Sequence, residues 1–329
     1  MKILISDYPD SMMPTHELEK EILNEGLNNP EIVVHDYSDD NREAFLKEIE
    51  DADALLTAFI KIDEEVFARA KKLKHVSLNA TGYDNIDLEA AKRYNVGISP
   101  VGEYCTTDVA EFTISVIVAL IKDLKKHTYN VEKDHIWQYD AVFANKRINE
   151  MVLGVVGFGR IGRAVAMRAR NLGMRVVATD IDPSITNELA IQIGVELVEP
   201  DELFAVSDVI ANHMNLNETN HNYFDKSVFK KMAKKPYFIN MGRGACVVEE
   251  ELIEALDKGM LRGAAVDVLS DETPDLEHHP LVGRSNVIVT PHAAFFSDTS
   301  VRELQRLSTQ NIVYYLNGQI EKVFKLVTD

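Results

Sequence analysis

Cysteine is scarce in this 329-residue chain: Cys105 and Cys246 are its two thiols. They form neither a disulfide framework nor a metal-type pair. Positive charge is also short. Lysine and arginine number 35 against 53 aspartates and glutamates, a formal net charge of −18. That excludes the basic face a nucleic-acid surface requires, though a single pocket can still be positive on an acidic protein. Long apolar runs are missing too. The longest, FTISVIVALI (Phe112 to Ile121), is closed by Glu111 and Lys122. It is too short to span a bilayer and reads as a buried helix. The apolar start before Ser6 and Asp7 is too short for a signal peptide. No low-complexity linker or repeat interrupts the chain. None of the ten histidines shows HExxH or another metal-ligand spacing, so no metal is expected. The expectation is a soluble, cytoplasmic protein with no membrane and no nucleic-acid partner.

What is present is alternation. Short β-branched runs (KILIS, EIVVH, ALLTA, HVSLN and VGIS, then VLGVVG, MRVVAT, VIANH, YFIN, AAVDV and NVIVT) are mostly separated by helical patterns. That order predicts parallel sheets built from βαβ units. The length and the 46% hydrophobic content suit two domains. A long helix is expected from about residue 107, with Val109, Phe112, Thr113, Val116, Ile117, Leu120 and Leu124 at helical spacing. A second crossing is expected after His292, before a final helix that stops at Gly318. The division predicted is 1–102 plus 294–329 for one discontinuous domain and 103–293 for the other.

VLGVVGFGRIGRAVAMRARNLG places Gly157, Gly159 and Gly162 directly after a strand and at the opening of a helix. Such spacing allows a tight turn, close approach of a pyrophosphate and close helix–strand packing, with the helix N-terminus facing the anion. Alone, three glycines are equally well an ordinary turn. The next strand, however, ends at Asp180, the distance at which an acid binds the adenosine ribose hydroxyls. Ile181 and Asp182 follow, with no basic residue to receive a 2′-phosphate. The pair predicts a dinucleotide site with NAD favoured over NADP.

Three later strands each deliver one reactive side chain. Arg243 follows YFINMG, Glu272 follows AAVDVLSD and His292 follows NVIVTP. Strand carboxyl ends face the ligand crevice of an open parallel sheet. Hydride transfer to a 2-oxo acid needs this set: a guanidinium fork for the carboxylate and carbonyl, a histidine proton donor, and a carboxylate that orients the histidine. Blander readings stay open. Arg243 can pair with Asp267, Glu272 can be one more solvated acid of SDETPDLE, and His292 can cap the final helix. His213, His278 and His279 compete for the catalytic role. His213 better suits backbone contact to cofactor, and the other two lie in a proline-bounded loop.

With these motifs in order, the chain resembles the D-isomer-specific 2-hydroxyacid dehydrogenase family along nearly its whole length. VVGFGRIGRAVAMRARNLGMRV resembles its cofactor fingerprint. FKKMAKKPYFINMGRGACVVEEELIEALDKGMLRGAAVDV resembles its arginine block and NVIVTPHAA its histidine block. ATGYDNIDLEAAKRYNVGISPVGEY resembles its substrate-domain segment. The resemblance implies two Rossmann-like α/β domains with a cleft between them, and NAD-dependent interconversion of a 2-oxo acid and a D-2-hydroxy acid. In that reaction Arg243 clamps the substrate, His292 is the acid/base and Glu272 its partner. It further implies Ala80, Thr81, Gly82, Tyr104 and Phe295 at the substrate. At the cofactor it implies Gly157, Gly159, Arg160, Ile161, Gly162, Asp180, His213, Met214, Asn215, Asn220, Met241, Gly242, Arg243, Asp267 and His292.

Departures are present. Thr273 stands where the family commonly has proline, and Asn215-Leu216-Asn217 replaces Pro-Leu-Thr. NLNETNH and PHAAFFS are similar to the C-terminal-binding-protein branch, and the pair Phe295-Phe296 to D-lactate enzymes. The alternative reading is therefore an NAD(H)-sensing interaction protein with little turnover. By family placement Tyr8, Met12, Met13, Phe59 and Phe295 make an apolar pocket, which implies a 2-oxo acid with an apolar or aromatic side chain. Met12 and Met13 are equally well core residues. The family also implies a homodimer paired through the cofactor domains. His127 to Ile148 would carry that contact, with Trp137 either reaching the neighbouring subunit or simply packing half-exposed.

Overall fold

A computed structural model describes residues 1–9, 13, 15–271 and 274–328. The chain forms two compact units, Met1–Tyr104 with Ser297–Asp329, and Cys105–Phe296. The first opens with strand β1 (Lys2–Asp7), followed by α1 (Glu17–Gly26) and β2 (Glu31–Asp36). Next come α2 (Arg42–Ile49), β3 (Ala54–Thr57), α3 (Glu64–Arg69), β4 (His75–Leu78), α4 (Leu88–Arg93) and β5 (Gly97–Ser99). All pairings are parallel, in the order β2-β1-β3-β4-β5. The alternation of side chains along a strand explains why these runs are apolar throughout. Leu4, Leu55 and Val76 join a core with Phe45 and Phe67. Ile3, Ile5 and Leu56 instead face Leu23 and Ile312. A parallel sheet covered on both faces needs both sets.

The second unit begins with α5 (Thr106–Ile121) and α6 (Leu124–Glu132), then β6 (Val152–Val156), α7 (Arg160–Asn171), β7 (Arg175–Thr179), α8 (Asn187–Gln192) and β8 (Glu196–Leu197). It continues with α9 (Pro200–Val206), β9 (Val209–Asn212), α10 (Lys226–Lys231), β10 (Tyr237–Asn240), α11 (Glu249–Asp257), β11 (Gly263–Val266) and β12 (Val287–Val289). Its sheet runs β12-β11-β10-β9-β6-β7-β8, again parallel. The first unit is completed by α12 (Asp298–Leu316).

The long helix starts where its periodicity places it, but it ends at Ile121. Asp123 takes a left-handed conformation, φ 52°, so Leu124 opens a new helix and stands half-exposed instead of extending the buried stripe. Strand β8, an exposed edge of two residues, has no apolar run to announce it. The last helix is capped by Ser297, whose Oγ accepts the N–H of Ser300 at 3.0 Å; His292 is not its cap. Among the described residues no helix is long and apolar enough to cross a membrane.

The first unit carries a polar seam beneath α12. Ser77 Oγ donates to Ser308 O at 2.7 Å, and His75 Nε2 lies 2.8 Å from Ser99 Oγ. The His75 ring stacks on Tyr315 at 4.4 Å and is fully buried, with no partner at Nδ1. Burial lowers its pKa from 6.5 to about 3. Only the unfolded chain binds that proton between those values, so the stabilisation is complete above pH 6.5 and is lost as pH falls towards 3. His75→Gln should therefore lose about 2 kcal/mol less unfolding free energy than wild type between pH 7 and pH 5, by urea titration. Equal losses in the two proteins would show that His75 is not the group responsible.

Candidate active site

The carboxyl ends of β6, β7, β9, β10 and β11 collect most of the residues singled out in the sequence. At β6 the chain turns through Gly157, φ 88°, where a Cβ would stand 2.7 Å from Met214 N. A Cβ on Gly162 would overlap the Gly157 carbonyl, whereas Gly159 has nothing within 4 Å. One glycine makes the turn, one lets α7 sit against it, and the exposed one leaves room beside the helix N-terminus. This is the cradle a pyrophosphate needs. Arg160 and Ile161 occupy the first turn of α7.

Asp180 closes the neighbouring strand. Its Oδ2 accepts the N–H of Phe158 at 2.5 Å and its Oδ1 that of Asp182 at 2.9 Å. The carboxylate is thus fixed against the glycine turn while keeping lone pairs for hydroxyl donors. Ile181 is 78% exposed. The backbone N–H of Ser184 holds the Asp182 carboxyl below its ordinary pKa, so two anions flank this edge.

Two buried asparagines that the sequence reading passed over join β9 to β10. Asn212 and Asn240 are register partners, and Asn212 Nδ2 donates to Asn240 Oδ1 at 2.9 Å. Asn240 Oδ1 also accepts the N–H of Gly242 at 3.2 Å, and its Nδ2 donates to the Arg243 carbonyl at 3.1 Å. Asn212 Oδ1 takes the N–H of Met214 at 3.1 Å. The available signal was that both apolar runs, VIAN and YFIN, end in asparagine. Met241 and Gly242 are buried and Arg243 half-buried. The Arg243 guanidinium donates from Nη1 to its neighbour Gly242 O at 3.0 Å. It is not ion-paired with Asp267.

Asp267 instead supports the histidine. Its Oδ1 accepts from Thr290 Oγ1 at 2.6 Å and Ala293 N at 2.9 Å, and its Oδ2 from Ala294 N at 2.9 Å. The N–H of His292 reaches Asp267 O at 2.7 Å. These bonds hold His292 at φ 51°, a left-handed conformation costing roughly 1–2 kcal/mol for a residue with a Cβ. The Phe295 ring stands edge-on to the imidazole at 6.3 Å. Glu272 and Thr273 lie outside the described residues.

The remaining candidates separate clearly. Both ring nitrogens of His213 are buried without partners, and burial lowers its pKa to about 4. It is a neutral ring beside the glycine turn, ill suited to donating a proton near neutrality. Asn220 folds the 215–220 loop, donating to Asn215 O at 2.6 Å and accepting from Asn217 N at 2.9 Å. His278 lies 2.8 Å from Asp275 and is exposed, while His279 meets Glu249. In the first unit, Ala80, Thr81 and Gly82 follow β4, where Ala80 O accepts the N–H of Val101 at 3.1 Å, and Tyr104 follows β5. Among the described residues no group of three His, Cys, Asp or Glu is placed to hold a metal.

The profile of the family described as D-isomer specific 2-hydroxyacid dehydrogenase, NAD binding domain, matches residues 114–294. This chain belongs to that family. The dehydrogenase is 30% identical over 299 residues to a hydroxypyruvate reductase of Blautia hydrogenotrophica, covering 88% of this chain and 90% of the relative. It is 32% identical over 301 residues to a glyoxylate reductase of Thermofilum pendens, covering 88% and 86%. A D-lactate dehydrogenase from Aquifex aeolicus, complexed with NAD and lactic acid, superposes with a TM-score of 0.87 at 26% identity, covering 99% of each chain. The protein is an NAD-dependent oxidoreductase of the D-2-hydroxyacid dehydrogenase class. The cradle at Gly157, Gly159 and Gly162, with Asp180 at its edge, fits that cofactor.

A 2′-phosphate at this edge would meet the like charges of Asp180 and Asp182, which disfavours that partner. NADPH should therefore bind at least about 100-fold more weakly than NADH. Asp180→Ala should narrow the ratio to within about tenfold, by relieving the repulsion of NADPH and weakening NADH. Fluorescence titration measures both constants, and comparable wild-type affinities would contradict the assignment.

Proposed function

We propose that the dehydrogenase reduces a 2-oxo acid with an apolar side chain, using Arg243, His292 and Glu272 as its reacting set. NADH supplies a hydride to the carbonyl carbon when bound. Arg243 binds the substrate carboxylate and draws charge from the carbonyl. The His292 imidazolium gives its proton to the carbonyl oxygen, leaving a neutral ring and a hydroxyl. Glu272 is the partner that orients the ring beforehand. The observation that carries this reading is the His292 turn, held in a left-handed conformation by Asp267 beside the strand that delivers Arg243.

The apolar preference rests on Phe295 beside His292. Of the other pocket candidates, Phe59 is 49% exposed and Met12 lies outside the described residues. Tyr8 turns its hydroxyl to Asp39, 3.1 Å from each oxygen. Pyruvate, 2-oxoisocaproate and phenylpyruvate should show higher kcat/KM than glyoxylate or hydroxypyruvate when NADH absorbance is followed. The reverse ranking would refute the side-chain assignment. His292→Ala should lower kcat by about two to four orders of magnitude; unchanged turnover would remove it from the mechanism.

A homodimer completes the proposal. Trp137, Tyr139 and Phe143 are 89%, 91% and 63% exposed, a concentration of aromatic surface that marks contact sites. Their segment is anchored, since Asn145 Nδ2 donates to Ile121 O at 2.9 Å and Tyr237 Oη at 2.8 Å. Arg262 lies 5.4 Å from the Phe143 ring. Sedimentation at micromolar concentration should give a dimer that Trp137→Asp with Tyr139→Asp converts to monomer. A wild-type monomer would contradict it.

A further inference from the structure

We infer that Glu249 is a positioning residue: its carboxylate clasps both ends of the 270–279 segment, which carries Glu272, to the helix that follows the Arg243 turn. The inference rests on the roles proposed for Arg243, His292 and Glu272.

Glu249 opens α11, where the unsatisfied N–H groups of a helix start favour an anion. Its side chain is 18% exposed. Oε2 accepts both Ser270 N at 3.1 Å and Ser270 Oγ at 3.2 Å. Oε1 lies 3.0 Å from His279 Nε2. The tautomer follows from the other nitrogen: His279 Nδ1 accepts the N–H of Leu281 at 3.3 Å, so Nε2 carries the hydrogen and donates to Glu249. One carboxylate therefore accepts three bonds, two from the first residue of the segment and one from its last. The Arg243 turn is pressed against the same place, for a Cβ on Gly244 would overlap the carbonyl of Leu269. No substrate or cofactor contact is needed to explain Glu249. Its partners stand on either side of Glu272 in the chain, and a displacement of about 1 Å in the alignment of a reacting group can cost 100-fold in rate.

A glutamine cannot replace this carboxylate. Its single oxygen serves Ser270 while its amide opposes the His279 N–H, and reversing that tautomer sets an N–H against Leu281 N. Glutamine at position 279, by contrast, keeps a donor towards Glu249.

The test uses the whole enzyme with NADH and the best oxo acid of the panel. Glu249→Ala, Glu249→Gln and His279→Ala should lower kcat by about 10- to 100-fold. KM for the oxo acid and Kd for NADH should stay within about threefold of wild type, and His279→Gln should restore kcat to within about threefold. Melting curves identify any variant that fails to fold, in which case the milder His279 pair decides. Folded variants with wild-type kcat, or losses that track melting temperature without rescue by His279→Gln, would overturn the inference. Arg243→Ala and His292→Ala are run alongside. If they abolish turnover while the folded Glu249 and His279 variants keep wild-type kcat, only the clasp fails; if they leave turnover intact, the proposed reaction centre fails.

Discussion

Every buried parallel strand ends with backbone groups that the sheet ladder no longer serves, and this chain meets that demand with short acids and amides. Asp180 follows β7 and takes the N–H of Phe158. Asn212 ends β9 and takes the N–H of Met214. Asn240 ends β10 and takes that of Gly242. Asp267 follows β11 and takes those of Ala293 and Ala294. The first unit repeats the device: Asp7, buried at the end of β1, accepts the N–H groups of Ala58, Phe59 and Tyr8 and the hydroxyl of Thr57. A buried donor left unpaired costs about 1–3 kcal/mol. A few such omissions would consume much of a domain's stability.

Because Asp7, Asp180 and Asp267 reach across to another loop and Asn212 and Asn240 bond each other, satisfying the backbone also fixes the turns against one another. That is how a structural requirement becomes an active-site property. Asn240 holds the Arg243 carbonyl and the Gly242 amide with one amide group, while Asp267 holds the histidine turn. The backbone of the turns at Arg243 and His292 is thus held by residues other than the two themselves. At Asp7 burial outweighs its donors and raises the carboxyl pKa. The arrangement is thus a balance between desolvation and hydrogen bonding, and it is not simply favourable.

Much of this was legible in the chain. The βαβ alternation, the three-glycine turn and the acid one strand later follow from local rules that need no tertiary information. The strand-end position of Arg243 and His292 was legible for the same reason. What could not be read were the partners. VIAN and YFIN show where two strands stop, but their asparagines pair only because parallel register sets Asn212 beside Asn240. The pairing of Arg243 with Asp267 was plausible by charge. It gave way because Asp267 already spends both oxygens on N–H and O–H donors of the turn at His292. Strand β8 was invisible because an exposed edge has no core to bury.

The same reasoning explains the strain at His292. A left-handed His292 would relax if its neighbours allowed it, so its conformation reports the combined hold of four bonds to a single residue, Asp267. Three of them end on a carboxylate buried to 3% exposure, where charge-assisted hydrogen bonds are stronger than in water. Their sum exceeds the roughly 1–2 kcal/mol of backbone strain, so the turn is held before any ligand arrives. The proton transfer proposed for His292 would benefit from that order, since a ring already in place needs no reorganisation as charge develops on a carbonyl oxygen. An acid one strand away, chosen to satisfy backbone, thereby sets where the proposed proton donor stands.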